Sequence, residues 1–181
     1  MAKITFILGG ARSGKSAFAE GLAMRYKNIA YIATAEAKDD EMLDRIRMHQ
    51  SRRPSNWKTI ESPYHADKVV LDMPGNIDLI CIDCITLYIT NMLLQDEIIT
   101  NTNDLKLKQK QICDEITILA KACRKSRADV VMVSNEIGLG IVPENILSRL
   151  FRDIAGRTNQ ILAEEADEVY FLVAGIAQKI K

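Results

Sequence analysis

Lys3-Ile4-Thr5-Phe6-Ile7-Leu8, followed at once by Gly9-Gly10-Ala11-Arg12-Ser13-Gly14-Lys15-Ser16, is the stretch on which the fold of this chain turns. The first six residues form a short, nearly continuous apolar run, the pattern of a strand buried on both faces. The next eight match G-x-x-x-x-G-K-[ST]. Lys15 to Tyr26 then has helical spacing, with Phe18, Leu22 and Tyr26 on one face. A glycine-rich turn between a buried strand and a helix folds its backbone N–H groups around a phosphate chain, and the helix adds its positive end. In such a loop Lys15 reaches the outer phosphates and the Ser16 hydroxyl is a magnesium ligand. A tight turn with a chance Lys-Ser would lack both flanking elements, so Gly9 to Ser16 is a nucleoside-triphosphate site.

The rest of the chain repeats strand and helix. Strands are expected at Ile29 to Thr34, Trp57 to Ile60, Ile77 to Ile82, Val130 to Val133 and Val169 to Val173, the last closing the series. Helices are expected from Asp39 to about Gln50, and over Tyr64 to Leu71, Ile85 to Leu94, Asp104 to Lys125 and Ile146 to Glu164. Residues 95 to 103, polar and rich in Asn and Thr, read as a linker too short to divide domains. This alternation predicts one α/β domain over residues 1–181, with a doubly wound, mostly parallel sheet of the P-loop NTPase type (RecA-like).

Composition removes several classes of partner. The 181 residues carry 24 basic and 24 acidic side chains, so no global field recruits nucleic acid or an anionic membrane. No apolar run approaches the roughly 20 residues that span a bilayer. The N-terminal apolar run stops at Gly9 without a signal-peptide pattern, and four cysteines in a chain this long suggest reduced thiols. A cytoplasmic location is the expectation.

A P-loop also needs a carboxylate at the tip of a neighbouring strand to hold magnesium, usually through water. Asp83, after Leu79-Ile80-Cys81-Ile82, is best placed. Asp72-Met73-Pro74-Gly75 mimics the D-x-x-G switch of regulatory GTPases, but no base-reading N-K-x-D follows. Cys81 and Cys84 make a C-x-x-C without a second Cys or His pair, so small core thiols are the plainer reading. Arg149, Arg152 and Arg157 recur along one helix; a phosphate clamp and a solvated or subunit-contact face both fit that spacing.

Of the two histidines, His65 reads as structural or solvated. His49 ends the expected Asp39–Gln50 helix, among Arg45, Arg47, Arg52 and Arg53. Spacing alone favours a cap on the helix dipole. The surrounding arginines would gather phosphates beside a potential nucleophile whose neutral form is abundant at neutral pH.

With these motifs in order, the chain resembles the bifunctional adenosylcobinamide kinase/adenosylcobinamide-phosphate guanylyltransferase family over essentially its whole length. The resemblance rests on the loop from Gly9 to Ser16, Tyr31-Ile32-Ala33-Thr34, Asp40-Glu41-Met42 with Arg45-Ile46, and His49 with Arg53-Pro54. It continues through Asp83-Cys84-Ile85-Thr86 with Asn91, Asn135 to Pro143, and Phe151-Arg152-Asp153-Ile154-Ala155-Gly156-Arg157. The loop alone is generic, whereas the ordered set is specific. It implies that GTP attaches GMP to His49 with release of pyrophosphate, and that GMP passes to adenosylcobinamide phosphate to give adenosylcobinamide-GDP. It also implies phosphorylation of adenosylcobinamide by ATP or GTP. By the same carry-over, Lys15 joins His49 as catalytic. Nucleotide contacts fall on Gly9, Gly10, Ala11, Arg12, Ser13, Gly14, Lys15, Ser16, Thr34, Ala35, Glu36, Gln50, Ser51, Arg52, Arg53, Glu61 and Asp83. Magnesium is expected on Ser16 and Asp83, and a homotrimer with sites between subunits. Some relatives carry Glu where Asp83 stands, and either carboxylate can hold magnesium through water.

Overall fold

The computed structural model describes residues 1–36, 54, 56–95 and 102–181. Its strands are β1 (Ile4–Gly9), β2 (Ile29–Ala33), β3 (Lys58–Glu61), β4 (Leu79–Asp83), β5 (Asp129–Asn135), β6 (Glu168–Val173) and β7 (Ile176–Lys179). Its helices are α1 (Lys15–Ala23), α2 (Ala66–Leu71), α3 (Ile85–Leu94), α4 (Thr102–Lys125) and α5 (Ile146–Glu165). The strands form one sheet in the order β3-β2-β4-β5-β1-β6-β7. Every pairing is parallel except that of β6 with β7. The doubly wound α/β expectation therefore stands.

β1 lies near the middle of the sheet, buried along its length because both faces are covered. Ile4, Phe6 and Leu8 point into a core shared with Tyr88 and Ile89 of α3, Ile112, Ile116 and Leu119 of α4, and Ile154 and Leu162 of α5. Ile7 turns to the opposite face, with Ala19 and Ala23 of α1 and with Tyr31, Leu79, Val131 and Leu172. The period-two alternation of a strand thus feeds two apolar layers at once. Burying a side chain such as Phe6 contributes roughly 1.5–3 kcal/mol, and these clusters gather many such contributions.

Three expectations are corrected. The sheet does not end at Val173. Ala174 and Gly175, with φ of 51° and 82°, make a two-residue turn into β7. Two positive φ values suit a tight hairpin, whose twist matches that of its strands. Residues 102 and 103 are not linker, since α4 starts at Thr102, and residues 96–101 lie outside the described part. Asp83 is also not on a strand paired to β1: β5 lies between them. The expected Asp39–Gln50 helix falls outside the described residues. No helix among the described residues is long and apolar enough to cross a membrane.

Candidate active site

Because the strands are parallel, their carboxyl ends share one edge, the edge at which open α/β sheets bind ligands. Register aligns Gly9 with Asn135 and with Leu172, and Ala33 with both Glu61 and Asp83. The loop at Gly9 to Ser16, the Thr34–Glu36 segment, Glu61 and Asp83 therefore gather on this edge. His49, Gln50, Ser51, Arg52 and Arg53 lie outside the described residues.

The loop has the glycines its shape demands. A Cβ on Gly9 would meet the Leu172 carbonyl oxygen and the Ser13 Oγ, each at 2.6 Å. Gly14 has φ 99°, and a Cβ there would lie 3.1 Å from the Gly175 Cα. Backbone bonds suspend the loop from its neighbours. The Glu136 N–H donates to the Gly9 carbonyl at 3.0 Å, and the Gly175 N–H donates to the Ser13 carbonyl at 2.9 Å. Gly14, at the start of α1, offers no side-chain cap to the first turn. The Ser13 Oγ is buried without a hydrogen-bond partner among the described residues. Uncapped N–H groups and an unpaired hydroxyl at a helix start are what a phosphate chain would satisfy.

Lys15 opens α1 and is only 7% exposed. Its Nζ donates to the Gly10 carbonyl at 2.6 Å, which folds the ammonium back over the loop. Burial lowers its pKa, while the charges of Cys84 and Asp83 raise it. The Ser16 Oγ donates to Asp83 Oδ2 at 3.1 Å, so the expected pair for magnesium is in contact despite the intervening strand. A hydroxyl and a carboxylate are hard oxygen donors of the kind magnesium takes, alongside water and phosphate oxygens. The residues present fit the ion.

The nearby segment after β2 is held from behind. The Thr34 Oγ1 donates to the Cys84 carbonyl at 2.7 Å, and Asn91 of α3 donates through Nδ2 to the carbonyls of Thr34 and Pro63 at 2.7 and 3.1 Å. Thr34 is fully buried, so its hydroxyl serves this clamp, while Ala35 and Glu36 continue half-buried along the edge. Tyr64 donates to Glu36 Oε2 at 3.2 Å, and Glu61 is exposed at the end of β3. Sequence reasoning assigned no role to Asn91, although it belonged to the quoted pattern; a buried amide in an apolar helix was the available signal. Tyr31 was missed in the same way: its hydroxyl donates to Asp83 Oδ2 at 2.6 Å.

The other motifs lie elsewhere or are used locally. Asp72 to Gly75 precede β4 and so lie towards the amino edge, away from the loop. Cys81 is buried and Cys84 half-buried against the α1 face, and neither forms a disulfide. Burial first, and then Asp83, pushes the Cys84 thiol up to about 11. Among the described residues no cluster of three metal-binding side chains occurs. Arg149 donates to the carbonyls of Pro143 and Glu144, Arg152 pairs with the adjacent Asp153, and Arg157 is exposed. Asn135 and Glu136 lie at the strand-end edge. The Asn135 N–H donates to Thr86 Oγ1 at 2.9 Å, and Glu136 Oε1 accepts from the Gly138 N–H at 2.6 Å.

A phosphate loop on this edge is common to many enzymes, and the wider sequence decides among them. The family model described as cobinamide kinase / cobinamide phosphate guanyltransferase matches residues 5–180. The chain belongs to that family. The cobinamide kinase/guanyltransferase chain is 48% identical over 177 residues to the "Bifunctional adenosylcobalamin biosynthesis protein CobU" of Salmonella typhimurium, covering 97% of this chain and 98% of that protein. It is 43% identical over 178 residues to the protein of the same name from Escherichia coli, with coverage of 97% and 98%. It is 39% identical over 176 residues to the "Bifunctional adenosylcobalamin biosynthesis protein CobP" of Pseudomonas aeruginosa, with coverage of 97% and 95%. As a member of the cobinamide kinase/guanyltransferase family it is a nucleotide-binding transferase of cobalamin biosynthesis.

Proposed function

We propose that this enzyme performs two reactions on one nucleotide-binding edge, attacking a triphosphate at either end. In the kinase reaction the hydroxyl of the adenosylcobinamide aminopropanol arm attacks the γ-phosphorus of ATP or GTP. The bond to the bridging oxygen breaks, ADP or GDP leaves, and the hydroxyl proton is released. In the guanylyltransferase reaction a neutral nitrogen of His49 attacks the α-phosphorus of GTP, and pyrophosphate departs. The resulting phosphoramidate is then attacked by a phosphate oxygen of adenosylcobinamide phosphate. Its P–N bond breaks, giving adenosylcobinamide-GDP and free His49.

The observation that carries this reading is the assembly of the loop, Lys15, Ser16 and Asp83 on the same edge as Thr34 to Glu36 and Glu61. Loop N–H groups and Lys15 hold the outer phosphates, which serves both reactions: these groups are the transferred part in one and the leaving group in the other. Ser16 and Asp83 would hold magnesium, which neutralises charge on the phosphate oxygens. Arg52 and Arg53 are assigned to charge on the α-phosphorus during guanylylation, and Gln50 and Ser51 to the nucleotide. Exposed apolar residues after β5, including Leu139 at 82% and Ile141 at 95%, support a subunit contact there, and the family resemblance makes the assembly a homotrimer with sites between subunits. The cytoplasm is the compartment this reading assigns.

The test uses GTP labelled at the α-phosphate, followed by denaturation. Acid-labile, alkali-stable label is expected on the native protein and none on His49→Ala. Label that survives in His49→Ala removes His49 from the mechanism. Absence of label from both favours a kinase without the guanylyl step, or a nucleotide-dependent switch.

A further inference from the structure

Asp83 receives two hydroxyls on one oxygen. Ser16 Oγ lies 3.1 Å from Oδ2 and Tyr31 OH 2.6 Å from the same atom, while no described residue donates to Oδ1. The shorter contact has the length of a charge-assisted bond from a hydroxyl to a carboxylate. The two donors differ in freedom. Ser16 sits at the first turn of α1, where its hydroxyl must also face the phosphate chain. Tyr31 is a β2 residue, 4% exposed, with its ring stacked on Trp57 at a centroid distance of 6.2 Å and an interplanar angle of 29°. On the ladder Tyr31 pairs with Cys81, two residues before Asp83. Its ring therefore runs along β4 to bring the hydroxyl to the strand end. A phenol packed this way donates from a fixed point, with little rotational freedom left to lose.

From this arrangement we propose that Tyr31 is a positioning residue for the hydrated cation of the nucleotide. Its hydroxyl locks the Asp83 carboxylate so that Oδ2 is occupied and Oδ1 is presented to water on the ion. The proposal rests on the reading of Asp83 as the magnesium carboxylate. Without the phenol, the Ser16 bond is the one left to the Asp83 carboxylate among the described residues, and the group turns about χ2, a broad torsion with no strong barrier. The cation then meets an acceptor that must be ordered on binding. Trp57 gives the device a second support, because it is buried and stacks on the ring from the residue before β3.

The experiment measures binding of a GTP analogue with a methylene between its α and β phosphorus atoms, which cannot release pyrophosphate. Calorimetric titrations are run in magnesium and in EDTA on the wild type, Tyr31→Phe, Asp83→Asn and the double variant. Electron paramagnetic resonance then follows manganese in the enzyme–analogue complex. Losing a hydrogen bond to a charged group corresponds to about a tenfold weakening. That loss is expected for Tyr31→Phe with metal present, with less than about a twofold change in EDTA, and with weaker manganese binding. Asp83→Asn is expected to show at least the same loss. The double variant should be no weaker than Asp83→Asn alone, because coupled groups are not additive. Equal losses with and without metal would make the Tyr31 hydroxyl a packing group and overturn the proposal, as would additive losses in the double variant. A loss in Asp83→Asn but none in Tyr31→Phe overturns the proposal and leaves the Asp83 assignment standing. Unchanged metal dependence in Asp83→Asn overturns both.

Discussion

Lys15 shows how much one side chain can do when its surroundings are built around it. It is buried at the start of α1, bonded to the loop's own Gly10 carbonyl, and faced by Asp83 and Cys84. Both proposed reactions need the outer phosphates held, so Lys15→Ala is expected to lower both rates together, by roughly a hundredfold or more. Separate assays of γ-phosphoryl transfer to adenosylcobinamide and of α-phosphate label on the protein check this. Full guanylylation in that variant would mean that the α-phosphate chemistry uses another site. Lys15, Ser16 and Asp83 were legible in the sequence because their residue types sit at a spacing that a phosphate chain dictates. Tyr31 and Asn91 were not assigned roles, because one aromatic in an apolar strand and one amide in an apolar helix look like core until partners from distant segments are known. Tyr31 and the Asp83 carboxylate it bonds are 52 residues apart in the chain.

The loop and the hairpin beside it form the element on which the site depends. Gly14 combines a left-handed backbone with a close approach to Gly175 in the β6–β7 turn. Gly14→Ala is expected to destabilise the fold by about 1–3 kcal/mol through backbone strain alone. Urea unfolding checks the stability, and the nucleotide titration is expected to weaken in parallel. Unchanged stability would show that the loop relaxes away from the hairpin without cost. β1 and α1 were foreseen because a buried strand, a glycine turn and a helical stripe follow each other without a break. β7 was not, because Ile176-Ala177-Gln178-Lys179 is short, mostly exposed and lacks alternation. Its pairing depends on a turn at Ala174-Gly175, which carries none of the strong Asn-Gly signal.

Across the molecule, Asp167 fastens three elements at the amino edge of the sheet. It accepts from the Ile4 N–H at 2.7 Å and from the Arg124 guanidinium, which also reaches the Glu165 carbonyl at the end of α5. The Arg124 bond, and after it the Ile4 N–H, holds the Asp167 carboxyl below its ordinary range. Glu168, paired with Lys179 and Lys3, is lowered as well. A depressed folded pKa stabilises above the unfolded value of about 4 and is lost as pH falls through the folded value. The melting temperature is therefore expected to drop from about pH 5 downward, and Asp167→Asn should flatten part of that slope. An unaltered slope in Asp167→Asn would move the acid sensitivity to other carboxylates. The layered architecture was legible from alternating apolar runs, but strand order was not, since it is set by how the crossovers pack rather than by local pattern. That is why Asp83 was placed one strand too close to β1.

The two backbone bonds that suspend the phosphate loop, from Glu136 to Gly9 and from Gly175 to Ser13, carry a consequence for how this enzyme tolerates change. Every amino acid but one brings an N–H to these positions. The mounting of the loop is thus written in the main chain: side-chain drift at residue 136 leaves its donor in place, while Gly175, at φ 82°, is held to glycine by its backbone conformation. At residue 136, proline alone removes the donor. Side chains can change at the Glu136 support while the frame that aims the phosphate grip keeps its donor.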